Sequence, residues 1–289
     1  MTEALIEYDR DPRPTFSAID EMWVERGNRD DWNVLHDLHY KAEALPAGSR
    51  FWRCVDGDGR VVGIVCSCSP ALLLAPRHVL LPKLKPGRDT ALTNRYRAQW
   101  INKNMRRAAR IVTDTLYRGV GVSYRMVNLA SRLEGVRYME IQSSMSKFNP
   151  FDQKAGFVHA PLQRSSHYDA GIRFFRGYFD SNPQDYQALM AEFDAMPATL
   201  QARTLQAMRE FYYSHSAKEK TGPKLGKGTS RVEGLSAGPL FKELQQLVFA
   251  SPVYGLYTNP DLGRPLPERL PLSAYDLQKP HEPLRLDLL

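Results

Sequence analysis

Three groups of residues in this 289-residue chain have types and spacing suited to chemistry. The first is Arg118-Gly119-Val120-Gly121-Val122-Ser123. It lies between an apolar run, Ala108 to Thr113, and a segment with helical spacing at Tyr124, Val127, Ala130 and Leu133. Amides in the opening turn of a helix have no intrahelical acceptor and sit at the positive end of its dipole. Small residues there let the backbone wrap a pyrophosphate, and Arg118 can add a charge-assisted contact. The second group could move protons: Glu140, Asp152 and His39, with His36 one turn before His39. Alternation puts Tyr138, Glu140 and Gln142 on one strand face and Met139 and Ile141 on the other. A carboxylate on a central strand must be paired or line a wet cleft, so Glu140 reads equally as a base or an ion-pair partner. His36 and His39 lack a clear third ligand for a metal and equally suit a helix C-terminus. The third group is basic: Arg106 and Arg107, then Lys218, Lys220, Lys224, Lys227 and Arg231 in a glycine-rich stretch after Phe211, Tyr212 and Tyr213. Lysines on a flexible strand track phosphates and aromatics stack on bases; a solvated linker is the plain alternative.

These groups need elements to position them. Asn28 to Asp31 offer caps for a helix carrying Trp32, Leu35, Leu38 and Ala42. Phe51–Val55 and Val61–Ser69 read as a hairpin across Asp56-Gly57-Asp58-Gly59. Pro70 to Arg88, with four prolines, reads as irregular, and Ala91 to Met105 as helical. Ala108–Thr113 is a strand, Tyr124 to about Gly135 a helix, Val136–Gln142 a strand, and Asn149–Gly156 a short helix. Further helices are expected over Pro183–Phe193, Ala198–Tyr213 and Leu240–Ala250, and an extended Pro-rich run from Pro260. The fold class is α/β, a mixed central sheet flanked by helices with a mostly helical C-terminal extension.

Composition narrows the function. At 43% hydrophobic and 25% charged residues the chain is of ordinary globular type, and no apolar run approaches the ~20 residues of a membrane span. Three cysteines, two in an apolar run, and an N-terminus without signal character predict a reduced, cytoplasmic protein. The net charge of +7 favours polyanionic partners. The Gly loop lacks the third glycine and early position of a dinucleotide fingerprint. Gly222 to Thr229 is one residue short of a phosphate-binding Walker loop, and there is no CxxC pair and no GxSxG.

The Gly loop after a strand, followed by helix, strand and Asn149-Pro150-Phe151-Asp152-Gln153-Lys154-Ala155-Gly156-Phe157, resembles the acetyl-CoA-dependent GNAT acetyltransferases. His39-Tyr40-Lys41, Ala109-Arg110-Ile111-Val112, Tyr117 to Gly121 and the Met145 to Gly156 run resemble GNAT-like domains attached to certain ABC-type ATPases. The resemblance covers about residues 20 to 165 and implies a GNAT-like acyl-CoA-binding domain over 20–169. Residues 1–19 are then a lead-in, 170–259 a helical extension and 260–289 a tail. It further implies acetyl-CoA, or another acyl-CoA, held along Arg110 to Thr113, with Ile111, Val112 and Thr113 on the pantetheine. Arg118, Gly119, Val120, Gly121, Val122 and Ser123 would hold the pyrophosphate, and Asn149 would lie near the pantetheine. Many members protonate the leaving thiolate with a tyrosine where this chain has Asp152. Glu140, Asp152 and His39 are therefore the catalytic candidates. Phage DNA-modifying acyltransferases of the Mom type share the GNAT-like fold, so the acceptor amine is expected on a small molecule or a modified nucleobase in DNA. A non-catalytic GNAT-fold module that binds nucleic acid is the alternative.

Overall fold

The computed structural model describes residues 17–39, 45–87, 91–161, 167–216, 232–249 and 252–289. They form two compact units, one from the residues up to Pro161 together with Val253–Leu289, the other from those between Leu162 and Pro252.

The first unit is built on an eight-stranded sheet. Its strands are β1 (Trp23–Gly27), β2 (Arg50–Val55), β3 (Val61–Cys68), β4 (Met105–Thr113), β5 (Tyr138–Ser143), β6 (Val158–His159), β7 (Val253–Thr258) and β8 (Arg269–Pro271). Their order is β6-β7-β5-β4-β3-β2-β1-β8. Only the β4–β5 pair is parallel. β3 is buried at every position, as its Val-rich sequence requires of a strand covered on both faces. One face carries α5 (Val122–Leu133), whose Val122, Met126, Val127, Leu129 and Ala130 pack on Val62, Val65, Ala108, Met139 and Ile141. On the other face lies α2 (Arg29–Leu35), packing Trp32 and Leu35 on Phe51, Ile64 and Val112. A capping box starts α2: Asn28 Oδ1 accepts from the Asp30 and Asp31 amides, and Asp31 Oδ2 accepts from the Asn28 amide at 2.7 Å. α1 (Ser17–Asp20), α3 (Ala75–Leu80), α4 (Ala91–Asn104) and α6 (Phe151–Lys154) complete this unit. No helix among the described residues is long and apolar enough to cross a membrane.

The second unit has α7 (Tyr168–Tyr178), α8 (Tyr186–Asp194), α9 (Ala198–His215) and α10 (Ala237–Phe249) around Phe175, Phe193, Phe211, Phe241 and Leu244. Gly171 lets α7 meet α10 closely, since a Cβ there would stand 2.3 Å from Val248.

The chain departs from its expected layout at three places. Ala75–Leu80 is helical because Pro76 falls at the N-terminal positions a helix tolerates. The helix expected to run through Ala42 ends at Leu35 and passes into a 3-10 turn, His36–Leu38. Most consequentially, Val253–Thr258 enters the sheet as β7 and Arg269–Pro271 edges it as β8, so the Pro-rich end is part of the core unit. Prolines suit that path because α5 and β7 supply the donors: Asn128 Nδ2 and Arg132 Nη2 of α5 and the Tyr257 hydroxyl of β7 all donate to the Pro280 carbonyl. Arg132, fully buried, pairs with Asp261, which also accepts from Arg264 and the Leu284 amide. Asp261→Ala should cost about 3 kcal/mol or more by urea melting, because it strands a buried guanidinium. A cost within error would mean that the ion pair adds nothing to the hold of the apolar contacts and the Pro280 hydrogen bonds.

Candidate functional site: an open strand edge beside a glycine loop

β4 pairs with β3 as far as Thr113, opposite Gly63. Its parallel register with β5 stops at Ala108, opposite Ile141. From Ala109 onward the β5-facing edge of β4 therefore opens on a cavity of about 400 Å³. Arg110 Nη1 returns to the Ala109 carbonyl at 2.9 Å and Arg118 Nε donates to the Thr113 carbonyl at 3.3 Å.

The Gly loop forms the next wall. A 3-10 turn at Thr115–Tyr117, capped by Asp114 accepting from the Leu116 amide at 3.0 Å, turns the chain out of β4. Gly119 and Gly121 then take φ of 86° and 89°, left-handed conformations that favour glycine. Gly121 is the N-cap of α5, and no side chain caps the helix. The first amides of α5 are thus left to a ligand at the positive end of the dipole. The facing wall comes from β5 and the segment after it: Ile141, Gln142, Ser143, Met145, Asn149, Phe151 and Lys154. Leu38 and His39, at the end of the α2 turn, close one side.

Of the residues the sequence assigned to a CoA thioester, Ile111, Val112, Thr113, Arg118, Gly119, Gly121, Val122, Ser123 and Asn149 line this cavity. Val120 is not among the lining residues and packs against the core beneath α5. His39 lines it too, with its ring 6.0 Å from that of Trp32. Sequence reasoning missed Tyr117, Tyr124, Gln142, Ser143 and Lys154. Lys154 sat in the run already matched to the family, and Tyr124 in the first turn of a recognised helix, but neither has a spacing signal of its own. Tyr124 is held between Arg125, 4.7 Å over its ring, and the edge of Tyr275 at 5.2 Å. Burial raises the Tyr124 pKa against a smaller opposing effect of Arg125, so its phenol keeps its proton at neutral pH.

Two expected proton carriers are elsewhere. Glu140 is fully buried and takes a two-pronged hydrogen bond from Arg77 Nε and Nη2, each 2.8 Å, plus the Tyr254 hydroxyl at 3.0 Å. Burial works against the Arg77 charge, but Glu140 outweighs it and the guanidinium pKa is raised. Glu140 is an ion-pair partner and not a base facing the cavity. Asp152 is likewise fully buried, 2.8 Å from His159 Nε2 and accepting the Gln153 amide. That pair joins α6 to β6 and takes Asp152 away from any leaving group.

The nucleic-acid assignment also changes. Arg106 is buried, pairs with Glu134 at 3.3 Å and donates to the Gly48 carbonyl at 2.7 Å. Burial lowers its pKa despite Glu134. Arg107 is half-buried on β4, with its Nε enclosed. Arg106, buried and paired, presents no phosphate-tracking surface. Lys218, Lys220, Lys224, Lys227 and Arg231 lie outside the described residues. The thiols of Cys54, Cys66 and Cys68 are buried and unbridged, and burial pushes that of Cys54 up to about 12.

No protein-family model and no curated protein matches the chain. Solved structures do resemble it. It is similar to spermidine N-acetyltransferase from Vibrio cholerae in an intermediate state, at 10% identity and TM-score 0.34, covering 51% of this chain and 85% of that one. An agmatine N-acetyltransferase aligns at 12% identity and TM-score 0.32, over 50% of this chain and 87% of that one. A putative acetyltransferase from Acinetobacter baylyi aligns at 14% identity and TM-score 0.33, over 50% and 83%. At these identities the chemistry has to be read from this chain's own residues.

Two substitutions separate the site from its scaffold. Gly121→Ala forces a Cβ onto a φ of 89°, 2.3 Å from the Arg125 guanidinium and 2.8 Å from the Tyr124 hydroxyl. The side chains can move, but the backbone strain of about 1–2 kcal/mol stays. If the cavity takes the CoA thioester that the sequence leads one to expect, acetyl-CoA affinity by calorimetry should fall about tenfold or more, with a small change in melting temperature. Unchanged affinity would remove the loop from the binding site. Glu140→Gln should do the reverse, costing about 3 kcal/mol of stability while leaving affinity intact.

Proposed function

We propose that the chain is a GNAT-type N-acyltransferase that moves an acyl group from a CoA thioester to an amine. The observation that carries this reading is one cavity in which an open parallel-strand edge runs directly into an uncapped helix start with two left-handed glycines. An extended amide-bearing arm can pair with the edge of β4, and a pyrophosphate can lie on the amides of Gly119 to Ser123. Arg118 and Lys154 supply charge for the phosphates, and Asn149 faces the arm from the other wall.

The thioester supplies an activated carbonyl. The amine nitrogen attacks its carbon, the C–N bond forms, the C–S bond breaks, and the sulfur leaves with the electron pair. Of the Val112 and Thr113 amides, the one that can stabilise the oxyanion is that of Thr113, on the open β4 edge. The Asp114 amide bonds to the Val62 carbonyl, so Val112, two residues before it, faces β3. His39 is the imidazole lining the cavity and takes the proton the amine loses. A thiol with pKa about 8.5 leaves readily as thiolate, so water can return its proton and the burial of Asp152 does not block turnover. A modified nucleobase amine is the alternative acceptor of this chemistry, without support from the buried Arg106.

Calorimetry should show binding of acetyl-CoA and of desulfo-CoA, and none of NADH. His39→Gln should lower kcat about a hundredfold with acetyl-CoA affinity retained. Full activity in that variant would assign the proton to water, and absent acetyl-CoA binding in the parent protein would reject the reading.

A further inference from the structure

The cavity is one-sided in charge. Its ionisable cations are Arg118 and Lys154, with the imidazole of His39, and no aspartate or glutamate lines it among the described residues. Glu140 and Asp152, on the elements of the facing wall, are committed, Glu140 to Arg77 and Tyr254 and Asp152 to His159. Asp37 and Asp114 adjoin lining residues in sequence without lining the cavity, Asp37 beside His36 and Asp114 accepting from the Leu116 amide. An acceptor carrying several ammonium groups would bring each extra charge out of water with no carboxylate in the lining to pair with it.

Leu38, Ile141 and Met145 give the cavity part of its apolar lining. Leu38 and Met145 stay 42% and 52% exposed, and Phe148, whose amide donates to the Met145 carbonyl at 2.9 Å, is 86% exposed. Large apolar side chains held in water around a cavity mark the place where an apolar ligand is covered. An apolar surround also disfavours the ammonium form of an entering amine, which must be neutral to attack.

We propose that the acceptor is a primary monoamine on an apolar or aromatic body, and that the site discriminates against polyamines. This rests on the acyl-CoA reading above, which acetyl-CoA calorimetry tests separately. The experiment measures release of the CoA thiol by the full-length protein with phenethylamine, spermidine and an aminoalkylated single-stranded oligonucleotide. The expected result is a kcat/KM for phenethylamine about tenfold or more above that for spermidine or the oligonucleotide. Met145→Glu, which places a carboxylate in the lining, should shift the phenethylamine-to-spermidine ratio about tenfold toward spermidine. Preference for spermidine or the oligonucleotide, or a ratio that Met145→Glu leaves unmoved, overturns the proposal. So does acetyl-CoA binding without transfer to any of the three, an outcome that leaves the CoA site standing. Loss of acetyl-CoA binding itself would overturn both.

Discussion

The structure depends on one mismatch in strand pairing. β4 follows β3 as far as Thr113, while β5 follows β7 along its whole length, from Tyr138 opposite Thr258 to Ser143 opposite Val253. The two strands share hydrogen bonds only over Met105–Ala108. Beyond that point each is held by its outer neighbour, and the twist of a sheet carries them apart. The free edge of β4 is an extended row of donors and acceptors, which an unpaired strand offers to any extended chain. Here it is confined to a cavity with a helix start at its end, so it offers a bound molecule a place without offering another protein an edge.

The charged residues buried around this opening make sense as its reinforcement. Glu134 gathers Arg50, Arg106, the Trp52 indole and the Ser67 hydroxyl in one buried cluster spanning β2, β3 and β4. Glu140 ties β5 to α3 through Arg77 and to β7 through Tyr254. Buried pairs of this kind contribute little net stability over an apolar packing, yet breaking one leaves a charge without a partner. They penalise any register in which β5 slides or rejoins β4, since a shift by one residue turns Glu140 to the opposite face.

Much of this was legible in the sequence, for definite physical reasons. The capping residues of α2, the Asp-Gly hairpin and the helix after Gly121 each encode their geometry locally, and each forms where its residues predict. So did the loop, because left-handed backbone before a helix favours glycine. What escaped were facts about partners. Val253-Tyr254-Gly255-Leu256-Tyr257-Thr258 is too short and too far from the other strands to announce that it sits between β5 and β6. The fate of Glu140 depended on Arg77, within a proline-rich stretch that looked irregular. Side-chain alternation correctly put Glu140 opposite Met139 and Ile141, but no local rule said what would meet it there.

That long-range dependence has a consequence for how the site comes into being. The Tyr254–Glu140 contact closes a sequence separation of 114 residues, with the helical unit inserted between β6 and β7. Loop closure over such a distance costs entropy that grows only slowly with length, so a long insertion is thermodynamically tolerable. Kinetically it makes β7 a late arrival, because non-local pairings form after the contacts that bring their ends together. Before β7 docks, β5 has β4 as its only ladder partner, and the two could pair past Ala108 and close the opening. The cavity is therefore a property of the completed sheet: the N-terminal strands hold one wall in place, and the C-terminal segment pulls the other away from it.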